Sequence, residues 1–293
     1  MFEAYAEHTL IQSNTEVVAI FNRVTHDERE AWIEYANATY ENWVEEGHLI
    51  ETGSLDDLNP QGYTPDITGA SPNGFIPEKE LDEYFVCWNW SPPPFTYGAV
   101  NWNARSVPDY AGTINAILEL KNETMVTRVR NYASKGLALK EEEHQAMHSK
   151  LPESQVENPH SFLWHPIHED ISDYNSKIVA VFGVGMAWDA SLLNLLPENV
   201  VGIFAVVRNN CNESHTYEIN GKDAIYQGAG DFHDPKFDDY ESVVDLALHT
   251  HPNFTTTPGH CMYSMVRKIY QIAEKQAERF GSTLLISPDM IWL

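Results

Sequence analysis

The chain has 293 residues, 43% hydrophobic and 12% aromatic, which suffices for a buried core and argues against a disordered segment. Its 18 basic and 43 acidic residues give a formal charge of −25, which repels phosphate backbones and anionic lipid and speaks against nucleic-acid binding. A cationic ligand is compatible with that charge, as is plain solubility.

The start, MFEAYAEHTL, has neither the basic lead nor the long apolar core of a signal peptide. The longest apolar run stops at Asp189, short of the ~20 residues that cross a bilayer. A soluble chain is expected, either by itself or as one piece of a longer receptor. The three cysteines, Cys87, Cys211 and Cys261, do not match a zinc ribbon, and their odd number leaves at least one unpaired. Glycosylation triplets stand at Asn37, Asn122, Asn212 and Asn253, a slight excess over the roughly two that chance supplies. Cysteines and triplets together lean toward the secretory side.

In chain order, Phe2 to Leu10 can form a short helix and Glu16 to Phe21 a short strand. Thr25 and Glu28 make a capping box, and Trp32, Ala36, Tyr40 and Trp43 recur at helical spacing. A helix is therefore predicted from His26 to Glu46, stopped at Gly47. Its aromatic stripe reads first as core packing and second as a partner-binding face. Glu51 to Asp82 is turn-rich and reads as a long surface excursion. The aromatics before Ser91 suit a strand, and Pro92 to Pro94 force an extended turn. That aromatic, proline-rich stretch either lines a pocket or packs a sheet edge as a proline corner.

Pro108 to Lys121 carries a helix signature, with Tyr110, Ile114, Ile117 and Leu118 on one face. Glu141 to Lys150 is a charged helix or loop, and Ser161 to Glu169 alternates as a strand. Two apolar runs, Ile178 to Trp188 and Val200 to Val207, are rich in Val, Ile and Phe and read as buried strands. Between them a short helix is capped by Asp189 or Ser191 and ended by Pro197, and an antiparallel hairpin follows. Ile219 to Gly221 is a turn that leads into the strand DAIYQG. Asp231 to Asp245 reads as an acidic loop. Val266, Ile269, Ala273, Ala277 and Phe280 give an amphipathic helix stopped at Gly281, with a last strand over Thr283 to Ile286. There is no internal repeat.

Gly183-Val-Gly185 after a strand invites a dinucleotide reading, but Trp188 stands where the fingerprint needs its third glycine. A glycine pair inside a buried strand marks a bulge or a close backbone approach instead. His144 and His148 are four apart, yet Gln145 replaces the glutamate of the protease motif. His249, His251 and the Asp231-Phe-His233-Asp234 stretch offer nitrogen and oxygen ligands for a divalent metal. All of them lie in polar segments where such residues are ordinary surface groups. Neither a nucleophile elbow nor a P-loop occurs.

The landmarks in their order resemble a known group. The opening, FEAYAE followed by EVVAIFNRVTHDEREAWIEYANATYENWV, is similar to the start of CHASE-type sensors, with Glu28-Arg29-Glu30 at their strand-to-helix step. WNWSPPPFTYGAVNWN, FLWHPIHE and VAVFGVGMAWDASLLNLLPENVVGIFAVVRNNC resemble the extracellular region of receptor-type guanylate cyclases of diatom-like microalgae. HTYEINGKDAIYQGAGDFHD and GHCMYSM continue that resemblance, which covers Phe2 to about Met265.

The resemblance implies a non-catalytic sensory ectodomain held between transmembrane helices, signalling to a separate cyclase domain, pairing as a homodimer and needing no cofactor. It implies an α+β fold with a PAS-like antiparallel sheet core over residues 84–293 and a long N-terminal helical scaffold and loop over 1–83. It also implies a disulfide between Cys211 and Cys261, with Cys87 left over. The group supplies no ligand contacts. Trp90, Trp102, Trp188, Tyr217 and His233 are the candidate ligand residues, chosen as aromatic or polar groups near the predicted core. The alternative is a soluble divalent-metal enzyme using His233, His249 and His251.

Overall fold

A computed structural model describes residues 2–13, 15–52, 54, 56, 66–71, 74–91, 100–121, 124–127, 158–208, 213–235, 242–245 and 266–271. It mixes helix with antiparallel sheet, and sheet predominates. The chain forms two compact units, Met1–Ala187 and Trp188–Leu293.

Unit 1 runs α1 (Phe2–Ser13), β1 (Val17–Thr25), a 3₁₀ turn (His26–Glu28), α2 (Arg29–Thr52), β2 (Thr68–Ser71), β3 (Gly74–Pro77) and β4 (Glu83–Ser91). It continues through a 3₁₀ turn (Ala104–Ser106), α3 (Pro108–Leu120), β5 (Met125–Val126), β6 (His160–His168) and β7 (Ile178–Ala187). Five strands form one antiparallel sheet in the order β4-β1-β7-β6-β5. Its first and last strands, β1 and β7, are therefore neighbours at the centre.

The capping box forms as expected: the Glu28 carboxylate accepts from the Thr25 N–H at 3.0 Å and from the Thr25 hydroxyl at 2.8 Å. These bonds, the backbone one foremost, hold its carboxyl below the usual range. The helix they start runs through Gly47 to Thr52. A glycine weakens a helix without ending it unless the chain turns left-handed there. Trp32 packs on Val24, Ile67, Tyr84 and Val86, which fill one face of the β1–β4 pair. Ala36 is buried too, so the described part of the stripe is core.

Against expectation, residues 1–83 are not a helical scaffold set apart from a core. β1 lies inside the sheet and pairs with β4 across the expected boundary at 83/84. The excursion over Glu51 to Asp82 holds the β2–β3 hairpin.

The other face of the sheet explains the glycine pair. Gly183 lies between Ala19 and Trp164 across the sheet, and Gly185 between Val17 and Phe162. A Cβ on Gly183 would sit 3.0 Å from the Phe21 ring and 3.3 Å from Trp164. One on Gly185 would collide with Val17 Cγ1. The glycines let three aromatic rings pack closely against β7, a close approach rather than a nucleotide loop. Tyr110, Ile114 and Ile117 of α3 are buried, and Tyr110 meets Phe162 at 5.4 Å and Trp164 at 5.3 Å between ring centroids.

Unit 2 holds a 3₁₀ turn (Asp189–Leu192), β8 (Ile203–Arg208), β9 (Ser214–Asn220), β10 (Asp223–Ala229), β11 (Ser242–Asp245) and β12 (Val266–Gln271). Its sheet has the order β10-β9-β8-β12-β11. The hairpin at Ile219 to Gly221 forms as read, with Gly221 at φ +62° and no room for a side chain above Glu198. Three expectations are corrected. The two apolar runs, β7 and β8, enter different sheets. Ser242–Asp245 is a strand inside the supposed acidic loop. Val266–Gln271 pairs with both β8 and β11 instead of starting a helix, because its valine, isoleucine and tyrosine suit a sheet when two strands offer free edges.

Pro92 to Pro94, Glu141 to Lys150 with His144 and His148, Ala273 to Phe280 and Thr283 to Ile286, for which elements were expected, lie outside the described residues. Among the described residues no helix is long and apolar enough to cross a membrane.

Gly185→Ala is expected to cost about 1–3 kcal/mol by overpacking, and Val17→Ala in the same chain to recover part of it. Denaturant unfolding followed by tryptophan fluorescence measures both. An unchanged midpoint in the single variant would mean that Val17 moves aside without cost.

Candidate functional site

The five candidate residues are divided between the two units. Trp90 and Trp102 belong to unit 1, and Trp188, Tyr217 and His233 to unit 2.

In unit 1, residues 100–103 run beside β4, bonded through Cys87 N–H to Trp102 C=O at 2.8 Å and Asn101 N–H to Cys87 C=O at 3.0 Å. That pairing inserts the buried Trp102 among aromatic rings. Its centroid is 5.9 Å from Phe21, 6.1 Å from Phe75, 6.5 Å from Trp90 and 5.9 Å from Tyr110. Phe21 in turn meets Trp164 at 4.7 Å. The Trp102 indole N–H donates to Ser106 Oγ at 3.1 Å, and Ser106 passes its own proton to Asn103 C=O at 2.6 Å. The Trp164 indole N–H has no acceptor among the described residues, although its residue is 0% exposed. An indole donor sealed without a partner is uncommon and costly, which makes this layer the candidate site of unit 1.

Charged groups of unit 1 are engaged beside the layer. Glu83 accepts from Arg23 Nε at 2.8 Å through one oxygen and from Arg105 at 2.8 Å through the other. Arg29 meets Asp66 at 2.6 Å and lies 5.6 Å from the Tyr84 ring centroid. Cys87 is a buried free thiol whose pKa burial pushes well up, so it is inert as a nucleophile.

In unit 2, Trp188 meets the His215 ring edge-on at 5.2 Å. His215 Nδ1 lies 3.1 Å from the Tyr226 hydroxyl, and Tyr226 stacks at 5.4 Å on Tyr217, its partner across the β9–β10 ladder. Burial holds the His215 imidazole below its usual pKa, so it is neutral at pH 7. The Tyr217 hydroxyl is fully buried and has no hydrogen-bond partner among the described residues. Its pKa is driven far up by burial first, then by the Asp189 carboxylate and Tyr226.

His233 is elsewhere. The Phe232 N–H donates at 3.1 Å to Thr216 Oγ1, which leaves β9 on the face opposite Tyr217 by strand alternation. The His233 ring is held through Nδ1 by Asp231, and Asp231 also lies 3.8 Å from Arg208. Cys211, Cys261, Asn122, Asn212, Asn253, His249 and His251 lie outside the described residues, whereas Asn37 is exposed on α2. Among the described residues no group of three or more His, Cys, Asp or Glu is placed to hold a metal.

Sequence reasoning missed Trp164, Tyr110, His215 and Tyr226. For Trp164 a signal was present, since a strand alternating Phe162 with Trp164 is the natural cover for glycines two apart. Only the pairing register could connect the two segments.

Two variants separate a satisfied indole from an orphaned one. Trp164→Phe is expected to change stability by less than about 1 kcal/mol, because lost burial is offset by removal of the unpartnered donor. Trp102→Phe loses burial and the bond to Ser106 Oγ, and should cost about 1–3 kcal/mol more. Equal losses in denaturant titrations would mean that Trp164 is satisfied in solution.

The His215 shift also sets a pH dependence. Its folded pKa lies below the unfolded value of about 6.5, so the unfolded chain takes up the proton first. Its contribution to stability is complete above about pH 6.5 and is lost as pH falls below that value. Melting temperatures from pH 8 to 5 should fall less steeply in His215→Gln. His165 in unit 1 shifts the same way through burial, so the difference between the two proteins is the readout, and parallel curves refute it.

No family model matches the chain, and no curated protein matches it.

Proposed function

We propose that the chain is a non-catalytic, ligand-binding sensory domain with a PAS-like core, of the kind that receptor-type guanylate cyclases carry outside the cell. In the resembled receptors such a region is joined to transmembrane segments and a cyclase domain, and it pairs as a homodimer. Support comes from the five-stranded antiparallel sheet of unit 1, with its first and last strands central and α3 laid over one face. The observation that carries the reading is the Trp164 N–H, a donor without an acceptor among the described residues, inside a layer of rings. A flat, largely apolar molecule with one carbonyl or ring-nitrogen acceptor is what such a layer suits.

A path to the long helix is built in. Trp102 touches the layer, the next residue back is Asn101, and the Asn101 side-chain oxygen accepts from Trp32 of α2 at 3.0 Å. Asn101 is buried in a left-handed conformation, φ +64°. A ligand that preferred one placement of Trp102 would shift the grip on α2, and a difference in affinity between the two placements is what signalling requires.

One observation favours the alternative of a metal-dependent enzyme: Asp231 orients His233 through Nδ1, as carboxylates do for metal-binding histidines. Purified protein, dialysed and analysed for metal, then screened by thermal shift against small planar carbonyl compounds, tests both readings. A saturable rise in melting temperature that disappears in Trp164→Phe supports the sensor. An undiminished rise in that variant, or stoichiometric zinc, iron or manganese, overturns it.

A further inference from the structure

The cluster at the start of unit 2 has a chemistry different from the aromatic layer of unit 1. Trp188 and Leu192 are both buried and anchor the turn that carries Asp189. Tyr217 and His215 alternate on one face of β9, and Tyr226 stands opposite Tyr217 on β10. On the other side Tyr217 faces Ala205, which has only a methyl group. With His215 neutral, Asp189 is the formal charge among these side chains. Two basic side chains of the unit are engaged by other carboxylates, Arg208 by Asp231 at 3.8 Å and Lys222 by Glu198 at 2.5 Å.

We propose that Trp188, Asp189, Tyr217 and Tyr226 form a binding site for a small organic ammonium ion. The ion donates to the Asp189 carboxylate and to Tyr217 Oη, and its charge lies against the Trp188 and Tyr226 rings. The phenol oxygen, sealed without a partner among the described residues, is the second acceptor such a cation needs, and it is costly when nothing bonds to it. An anion in the same place would face the Asp189 carboxylate. The formal charge of −25 adds a general attraction for cations at low ionic strength. This site does not rest on the unit 1 reading.

The test is titration of the full chain with methylammonium and tetramethylammonium chloride, against sodium chloride at equal ionic strength, followed by calorimetry and melting temperature. Saturable binding of an ammonium probe is expected. Tyr217→Phe, which keeps the ring and removes the orphaned hydroxyl, should weaken methylammonium by about tenfold. Asp189→Asn should weaken both probes at least as much. Trp164→Phe should leave both unchanged, which separates this site from the aromatic layer. Responses no larger than with sodium, equal binding by Tyr217→Phe and Asp189→Asn to that of the parent protein, loss of binding in Trp164→Phe, or preferential binding of acetate would each overturn the proposal.

Discussion

Three aromatic rings lie on two missing side chains in the sheet of unit 1, and the described architecture of that unit depends on the fit. Gly183 and Gly185 leave the space that Phe21, Phe162 and Trp164 occupy, and a methyl group on either would meet a ring or the Val17 side chain. Protein interiors are close-packed and transmit such misfits, so strand order, register and aromatic layer are specified together. Tyr110 of α3 docks on the same rings, and Trp102 completes the layer from beyond β4. Fold and candidate site share one set of contacts.

Hydrogen bonding separates the tryptophans of this unit by role. Trp102 and Trp32 are tied down, one to Ser106 and the other to Asn101. Trp164, which shares Phe21 and Tyr110 with Trp102, has no acceptor among the described residues. Burial of its rings outweighs an unmade hydrogen bond, since a buried indole gains several times what one neutral bond contributes net. Tyr217 repeats the pattern in unit 2. A buried orphan group is a place where a ligand bond adds free energy without displacing an existing protein bond, and that asymmetry underlies both functional proposals.

Most individual elements were legible in the residues. Thr25 and Glu28 announced α2, Pro108 and the spacing of Tyr110, Ile114 and Ile117 announced α3, and Asn220-Gly221 announced a hairpin. Local chemistry decides these features, so a short window of sequence contains them. The glycine pair was correctly separated from a nucleotide loop by Trp188, and its packing partners were the unread part.

What the sequence determined by itself was the class of the protein: acidic, cored, mixed in helix and strand, rich in aromatics at the positions that became its interior. Tertiary structure decided the rest. β7 and β8, adjacent in sequence and alike in composition, entered different sheets, because β7 found β1 and β6 while β8 found β9 and β12. The same pairing divided Trp90 and Trp102 from Trp188 and Tyr217, and turned Val266–Gln271 from an expected helix into a strand. Hydrophobic period and propensity act within a few residues, whereas strand partners are chosen by edges and faces that can lie far along the chain, as β1 lies from β7.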